Sequence, residues 1–236
     1  MALESLLWCI AALIGAAVAA LALARRPHSA TTLVYGISLG VTLVALGIAG
    51  ASLLAPASFG GKATLPVGLP WLGARFELDA LSAFFLVVIN LGGAGASLFG
   101  LGYGRHEESP GRVLPFFPAF LGGMNLVLIA ADAFTFLFAW ELMSLSSWAL
   151  VMAHHRRPGN AAAGYLYLLM ASFGTLALLL ALGLLAGPLG GYTFDEIRLE
   201  PPPPECATSG DCPAGDGAPS PAPRRRATSA PRRRER

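Results

Sequence analysis

Apolar and polar residues follow one another along this chain in long blocks. Six apolar runs of about 20 residues alternate with short polar, glycine-rich or proline-rich connections. A helix needs about 20 apolar residues to cross the ~30 Å hydrocarbon core of a bilayer. The pattern predicts membrane-spanning helices over residues 5–24, 31–55, 78–102, 114–130, 132–153 and 161–186. Glycine and proline punctuate the runs: Pro56 with Gly60 and Gly61 ends the second, and Gly187-Pro188 with Gly190 and Gly191 ends the sixth. Pro115 and Pro118 fall in the first turn or so of the fourth, where missing N–H groups matter least. Residues 57–77 read as a polar, glycine-rich connection, with Leu65 to Leu72 expected to be extended. Phe76-Glu-Leu-Asp-Ala-Leu-Ser-Ala-Phe-Phe85 reads as the opening of the third helix, with Asp79 placed to cap it and complement its dipole. A part for Asp79 in ion transfer is the minority reading.

The fifth run changes the picture, because it carries a glutamate, Glu141, near its middle. A carboxylate at that depth costs about 3 kcal/mol on insertion scales, so an intramembrane acid is a functional candidate by default. At 100° per residue, Leu137, Phe138, Ser144, Leu145, Trp148 and Met152 share its helix face, and His155 falls near the same line. Ser144 is therefore a candidate hydrogen-bond partner for the carboxyl. His154 and His155 are candidate proton-uptake groups at the end of the helix, since imidazoles titrate near physiological pH. The bland reading of each histidine, a side chain resting at the interface, is the stronger one. No lysine or arginine lies inside any of the six runs, so a partner charge for Glu141 must come from elsewhere.

Composition agrees with a polytopic membrane protein: 55% of residues are hydrophobic and 13% charged, with a mean hydropathy of +0.61. Positive charges follow the first run rather than precede it, which argues for a retained helix over a cleaved signal peptide. Arg25, Arg26, Arg105, Arg112, Arg156 and Arg157 all lie after odd-numbered runs, whereas Lys62 follows the second and Arg75 just precedes the third. The positive-inside rule then places the N-terminus outside the cell. Glycines 92, 93, 95, 100, 102 and 104 fall in or at the end of the third helix and are expected to permit close helix packing rather than phosphate binding. Tyr165, Tyr167, Ser172 and Thr175 are expected to pack or hydrogen-bond between helices. Cys206 and Cys212 match no common metal spacing. No nucleophile constellation, metal cluster or nucleotide loop is present, and no cofactor, metal or nucleic-acid partner is expected.

From Leu199 the character changes. This tail holds half of the 18 prolines and seven arginines against five acids. It cannot bury a core and is expected to be disordered. Its Pro/Arg/Ala/Gly-rich composition is what a GC-rich gene yields when read out of frame, a better account than a basic binding tail.

The motifs carry a family likeness. Phe76–Phe85 resembles the start of the third helix in the antiporter-like subunits of respiratory complex I. Phe136-Leu-Phe-Ala-Trp-Glu-Leu-Met-Ser-Leu-Ser-Ser-Trp148 resembles their fifth helix, which bears the pumping glutamate. Together with Ala163-Gly-Tyr-Leu-Tyr-Leu-Leu-Met-Ala-Ser-Phe-Gly174, it is most similar to the large membrane subunit of hydrogenase-4 and formate hydrogenlyase. The likeness covers residues 1–198. It implies a fold of about fourteen helices with two inverted repeats and broken helices at mid-membrane. It also implies that Glu141 pairs with a lysine on a seventh helix. Six helices make this a truncated antiporter-like fold. The expected function is that of a fragment of a proton-translocating subunit of a hydrogenase-4 or NADH-quinone oxidoreductase type complex. Such a subunit is a multi-pass protein of the cell inner (plasma) membrane. Its partners are other membrane and peripheral subunits, and electron transfer occurs in those partners. The alternatives are a structural or assembly subunit and a small oligomeric proton channel.

Overall fold

The computed structural model describes residues 2–23, 27–55, 61–66, 73–104, 110–155, 159–186 and 191–199. The expectations for the tail, and for an extended segment beyond Pro66, lie outside the described residues. Residues 1–199 form one compact unit. It contains six helices long and apolar enough to cross a membrane. They are built on α1 (Ala2–Ala22), α2 (Pro27–Leu54), α3 (Ala80–Tyr103), α4 (Phe116–Ile129), α5 (Ala133–Val151) and α6 (Asn160–Leu185), the fourth and fifth spans reaching Pro110–Ile129 and Ala133–His154. A single helical turn, Pro110–Val113, precedes α4, and a 3₁₀ turn, Met152–His154, extends α5. The chain is a multi-pass α-helical membrane protein.

Two features at the end of the bundle near residue 132 depart from the sequence reading. The first is an antiparallel hairpin of β1 (Gly61–Leu65) and β2 (Ala74–Leu78) in the connection before α3. Phe76 and Leu78 therefore belong to a strand, and α3 begins at Ala80 rather than at residue 78. The alternation explains this: Ala74, Phe76 and Leu78 are buried while Arg75 and Glu77 between them are half-exposed. The buried set packs with Leu3, Leu6 and Ile10 of α1 and with Ile129 of α4. Asp79 then caps α3 by accepting a 2.7 Å hydrogen bond from the Ser82 N–H.

The second feature is the connection between α4 and α5. In the sequence Asp132 marks a very tight turn into the fifth run; the structure shows a three-residue extended bridge with partners on both sides. Ala130 pairs with Phe76 of β2, and Asp132 pairs with Thr193 beyond α6. Ala131 N–H donates to Arg75 C=O at 2.9 Å, and Ala133 N–H donates to Tyr192 C=O at 3.0 Å. A short helix α7 (Phe194–Leu199) follows, occupying ground that the sequence reading left without structure and the first residue of the expected tail. Its start is a reciprocal cap: Thr193 N–H donates to Glu196, and Glu196 N–H donates to the Thr193 hydroxyl, both at 3.2 Å. These hydrogen bonds hold the Glu196 carboxylate below the usual carboxylate range. Lys62 of β1 bridges the hairpin to α7 through Glu77 at 3.2 Å and through Asp195. The two acids, Asp195 first, hold its ammonium above the ordinary lysine range.

Small residues let the helices approach. The ring of Tyr35 on α2 lies against Gly100 and Gly104, and a Cβ on Gly93 would stand 3.2 Å from Thr42 Cγ2. Gly92, Gly95 and Gly102 face open space. The packing role expected for this glycine series therefore belongs to one side of α3. Within the α2–α3–α4 packing lie buried polar groups, chiefly Ser38, Thr42, Asn90, Ser97 and Asn125. Asn90 Nδ2 donates to Asn125 Oδ1 at 2.7 Å and ties α3 to α4. Helix α6 is different: Gly164 is its one buried residue among those described, beneath Met152 and Trp148 of α5. Tyr165 is exposed, and the Thr175 hydroxyl donates to Ala171 C=O of its own helix at 3.2 Å, so neither makes the interhelical contact expected of it.

Asp132 is fully buried and accepts from Thr135 N–H at 2.8 Å, Thr135 hydroxyl at 2.6 Å and Arg75 N–H at 2.9 Å. Removing it uncaps α5 and orphans two backbone donors. Asp132→Ala is expected to lower stability by about 3 kcal/mol, with Asp132→Asn losing less than half of that. Thermal unfolding in mild detergent checks this; an Ala variant as stable as the parent would remove Asp132 as the organising contact.

Candidate functional site

Glu141 sits midway along α5, with Asp132 fixing the start of that helix and the 3₁₀ turn finishing it. Its side chain is half-buried. The face that the sequence assigns to it is split by the packing: Leu137 and Ser144 are buried, while Phe138 is 69% and Leu145 49% exposed. Glu141 therefore lies on the seam between the packed and open sides of α5. The ion pairs among the described residues both belong to Lys62, and no hydrogen bond reaches the Glu141 carboxyl there. Ser144 lies one turn away and buried, and no hydrogen bond joins the two side chains among the described residues.

The histidines stand far from this carboxyl. Fourteen positions separate Glu141 from His155, about 20 Å along a helix at 1.5 Å per residue. His155 Nδ1 lies 2.6 Å from an Arg112 guanidinium nitrogen. Arginine has only donors, so in this contact Nδ1 is the acceptor. The backbone C=O of His154 accepts from Asn160 Nδ2 at 3.1 Å, closing the turn into α6. Any proton passing from His155 to Glu141 needs intermediate carriers. Asp79 is exposed at the opposite end of the bundle, engaged in its cap, and the structure does not bring it to Glu141.

Two polar residues escape the sequence reading, Asn90 and Asn125, and Asp132, read there only as the mark of a tight turn, proves to be the buried cap of α5. In the antiparallel α4–α5 pair, Gly123 abuts the Met143 backbone, 3.0 Å from a built Cβ. Two residues further along α4, Asn125 then lies at the level of Glu141, two residues back along α5. Asn125 is turned away from α5, to Asn90 on α3. Asn90 Nδ2 also donates to Leu86 C=O at 2.9 Å, and its fully buried Oδ1 has no partner among the described residues. An asparagine inside an apolar run was the available signal, because such a group in hydrocarbon needs an internal partner. Asp132 gave a weaker one, since its partners come from residues 75 and 135. Among the described residues no group of three His, Cys, Asp or Glu side chains is placed to hold a metal ion.

Comparison with known proteins places these residues. Residues 130–201 match the family described as NADH:quinone oxidoreductase/Mrp antiporter, TM. An uncharacterized protein of Mycobacterium tuberculosis strain H37Rv is 37% identical over 158 residues, covering 66% of this chain and 24% of that protein. Hydrogenase-4 component B of Escherichia coli K12 is 35% identical over 124 residues, covering 52% of this chain and 18% of that protein. The chain thus spans a quarter or less of the length of these relatives. A solved structure of the Mrp complex from Dietzia sp. DQ12-45-1b superposes with a TM-score of 0.67 at 22% identity, covering 87% of this chain and 22% of that one, which establishes the fold. Motif, fold and relatives together make this an antiporter-like membrane chain, whose residues 130–201 match the family described as NADH:quinone oxidoreductase/Mrp antiporter, TM.

Proposed function

We propose that this chain belongs to a proton-translocating membrane subunit of a respiratory, hydrogenase-4-like complex, and that Glu141 is its proton-carrying carboxyl. One observation carries the reading: a half-buried acid midway along a membrane-spanning helix has neither ion pair nor hydrogen bond among the described residues. Such an acid is costly unless it exchanges protons or meets a cation. The partner base comes from a subunit or segment outside the described residues. The likeness to hydrogenase-4 component B supports that type of complex, in which peripheral subunits would carry the electrons. His155 at the arginine-bearing end is the uptake side, Ser144 is a relay hydroxyl one turn from Glu141, and the hairpin end faces outward. The membrane is the cell's inner (plasma) membrane.

Glu141→Gln keeps the shape and removes the exchangeable proton. In membranes carrying the assembled complex, it is expected to cut redox-driven proton uptake at least about tenfold with subunit content unchanged. Glu141→Asp should retain part of the activity. Full pumping by the Gln variant would make Glu141 a packing residue and the chain a structural subunit. For orientation, the three native cysteines are changed to serine and Thr64→Cys is introduced on exposed β1. An impermeant maleimide added to intact cells should label it; labelling only after lysis would invert the topology.

A further inference from the structure

At the arginine-bearing end, a shallow open cleft of about 350 Å³ lies between the start of α4 and the end of α5. Its wall is apolar, made by Phe116, Trp148 and Met152, and its charged rim is Arg112 with His155. No acid lines it among the described residues. The contrast with the cleft beside the hairpin is direct: there Lys62 and Arg75 face Glu77, Asp195 and Glu196, and the charges answer one another within the chain. Among the described residues Arg112 has no such answer: it gives one N–H to His155 Nδ1, and a guanidinium carries five N–H donors in all.

We infer that this cleft binds an anionic phospholipid. The phosphate meets the Arg112 guanidinium, which suits its geometry and can bind it by two N–H groups. An acyl chain lies over Phe116, Trp148 and Met152. The depth is right: Arg112 and His155 sit at the ends of the spans Pro110–Ile129 and Ala133–His154, where headgroups lie, and tryptophan favours that level. A free phosphate would satisfy the rim and leave the apolar wall unused. A neutral lipid would cover the wall and leave the charge unanswered. A single occupant with an anionic head and an apolar tail answers both.

The test is native mass spectrometry of the purified chain from micelles holding equal phosphatidylglycerol and phosphatidylcholine. The expected result is one retained phosphatidylglycerol per chain, in preference to phosphatidylcholine. Arg112→Gln should lower that retention about fivefold, the equivalent of one surface basic group, without changing phosphatidylcholine. Phe116→Ser should lower both. Equal retention of the two lipids by the parent chain would overturn the proposal whether or not the variants fold. So would full displacement of phosphatidylglycerol by millimolar inorganic phosphate, or unchanged retention in Arg112→Gln. An acidic peptide of a partner subunit that displaces the lipid and binds more tightly would also overturn it, by making the cleft a protein interface.

Discussion

The arrangement depends on how three residues between α4 and α5 dispose of their backbone polar groups. Residues 130–132 run extended at the end of two apolar helices, where an unpaired N–H or C=O would be costly. They find partners on both sides, β2 on one and residues 192–194 on the other. Asp132 completes the joint by accepting from its own helix start and from the Arg75 N–H. One carboxylate therefore holds together segments 57 residues apart in sequence. The hairpin, the start of α5 and the residues beyond α6 are fixed to one another through it.

This joint matters for Glu141 because α5 is rigid over its length. Fixing its start sets the depth and rotation of a side chain two and a half turns further on. The packing of Gly123 against the Met143 backbone removes remaining freedom in register. Glu141 is thereby held at the seam between the packed and open sides of α5, at the level of Asn125 on α4. The acid is positioned yet left without a partner among the described residues, which is the condition in which it can meet a base supplied from outside them. The opposite end of α5 is built differently. There Arg112 meets His155, and no acid lines the cleft among the described residues.

The site was only half legible in advance. Glu141 stands out in sequence because a lone acid in a long apolar run contradicts its surroundings. The Asp79 cap stands out because a carboxylate precedes a helix by one position. Asn90 and Asn125 carry comparable structural weight and pass unnoticed, and Asp132 is legible only as a turn residue, since what distinguishes each is a partner 35 or 57 residues away. The Phe76-Glu-Leu-Asp79 segment was read as helix because apolar residues continue unbroken into α3. Only the alternation over Ala74, Phe76 and Leu78 argued for a strand, and five residues are few for that signal to prevail.

Sequence alone determined that six helices cross a membrane and that one of them carries an acid. Hydrophobic length and the cost of burying charge are local quantities, readable along a single segment. Only the tertiary structure decided which side of each helix is covered. It also decided that β2 and residues 192–194 brace the fifth helix, and that Ser144 and the histidines do not reach Glu141. Those outcomes depend on which backbone groups remain unsatisfied once the helices have packed and on which distant segments arrive to satisfy them. No single stretch of the chain contains that information.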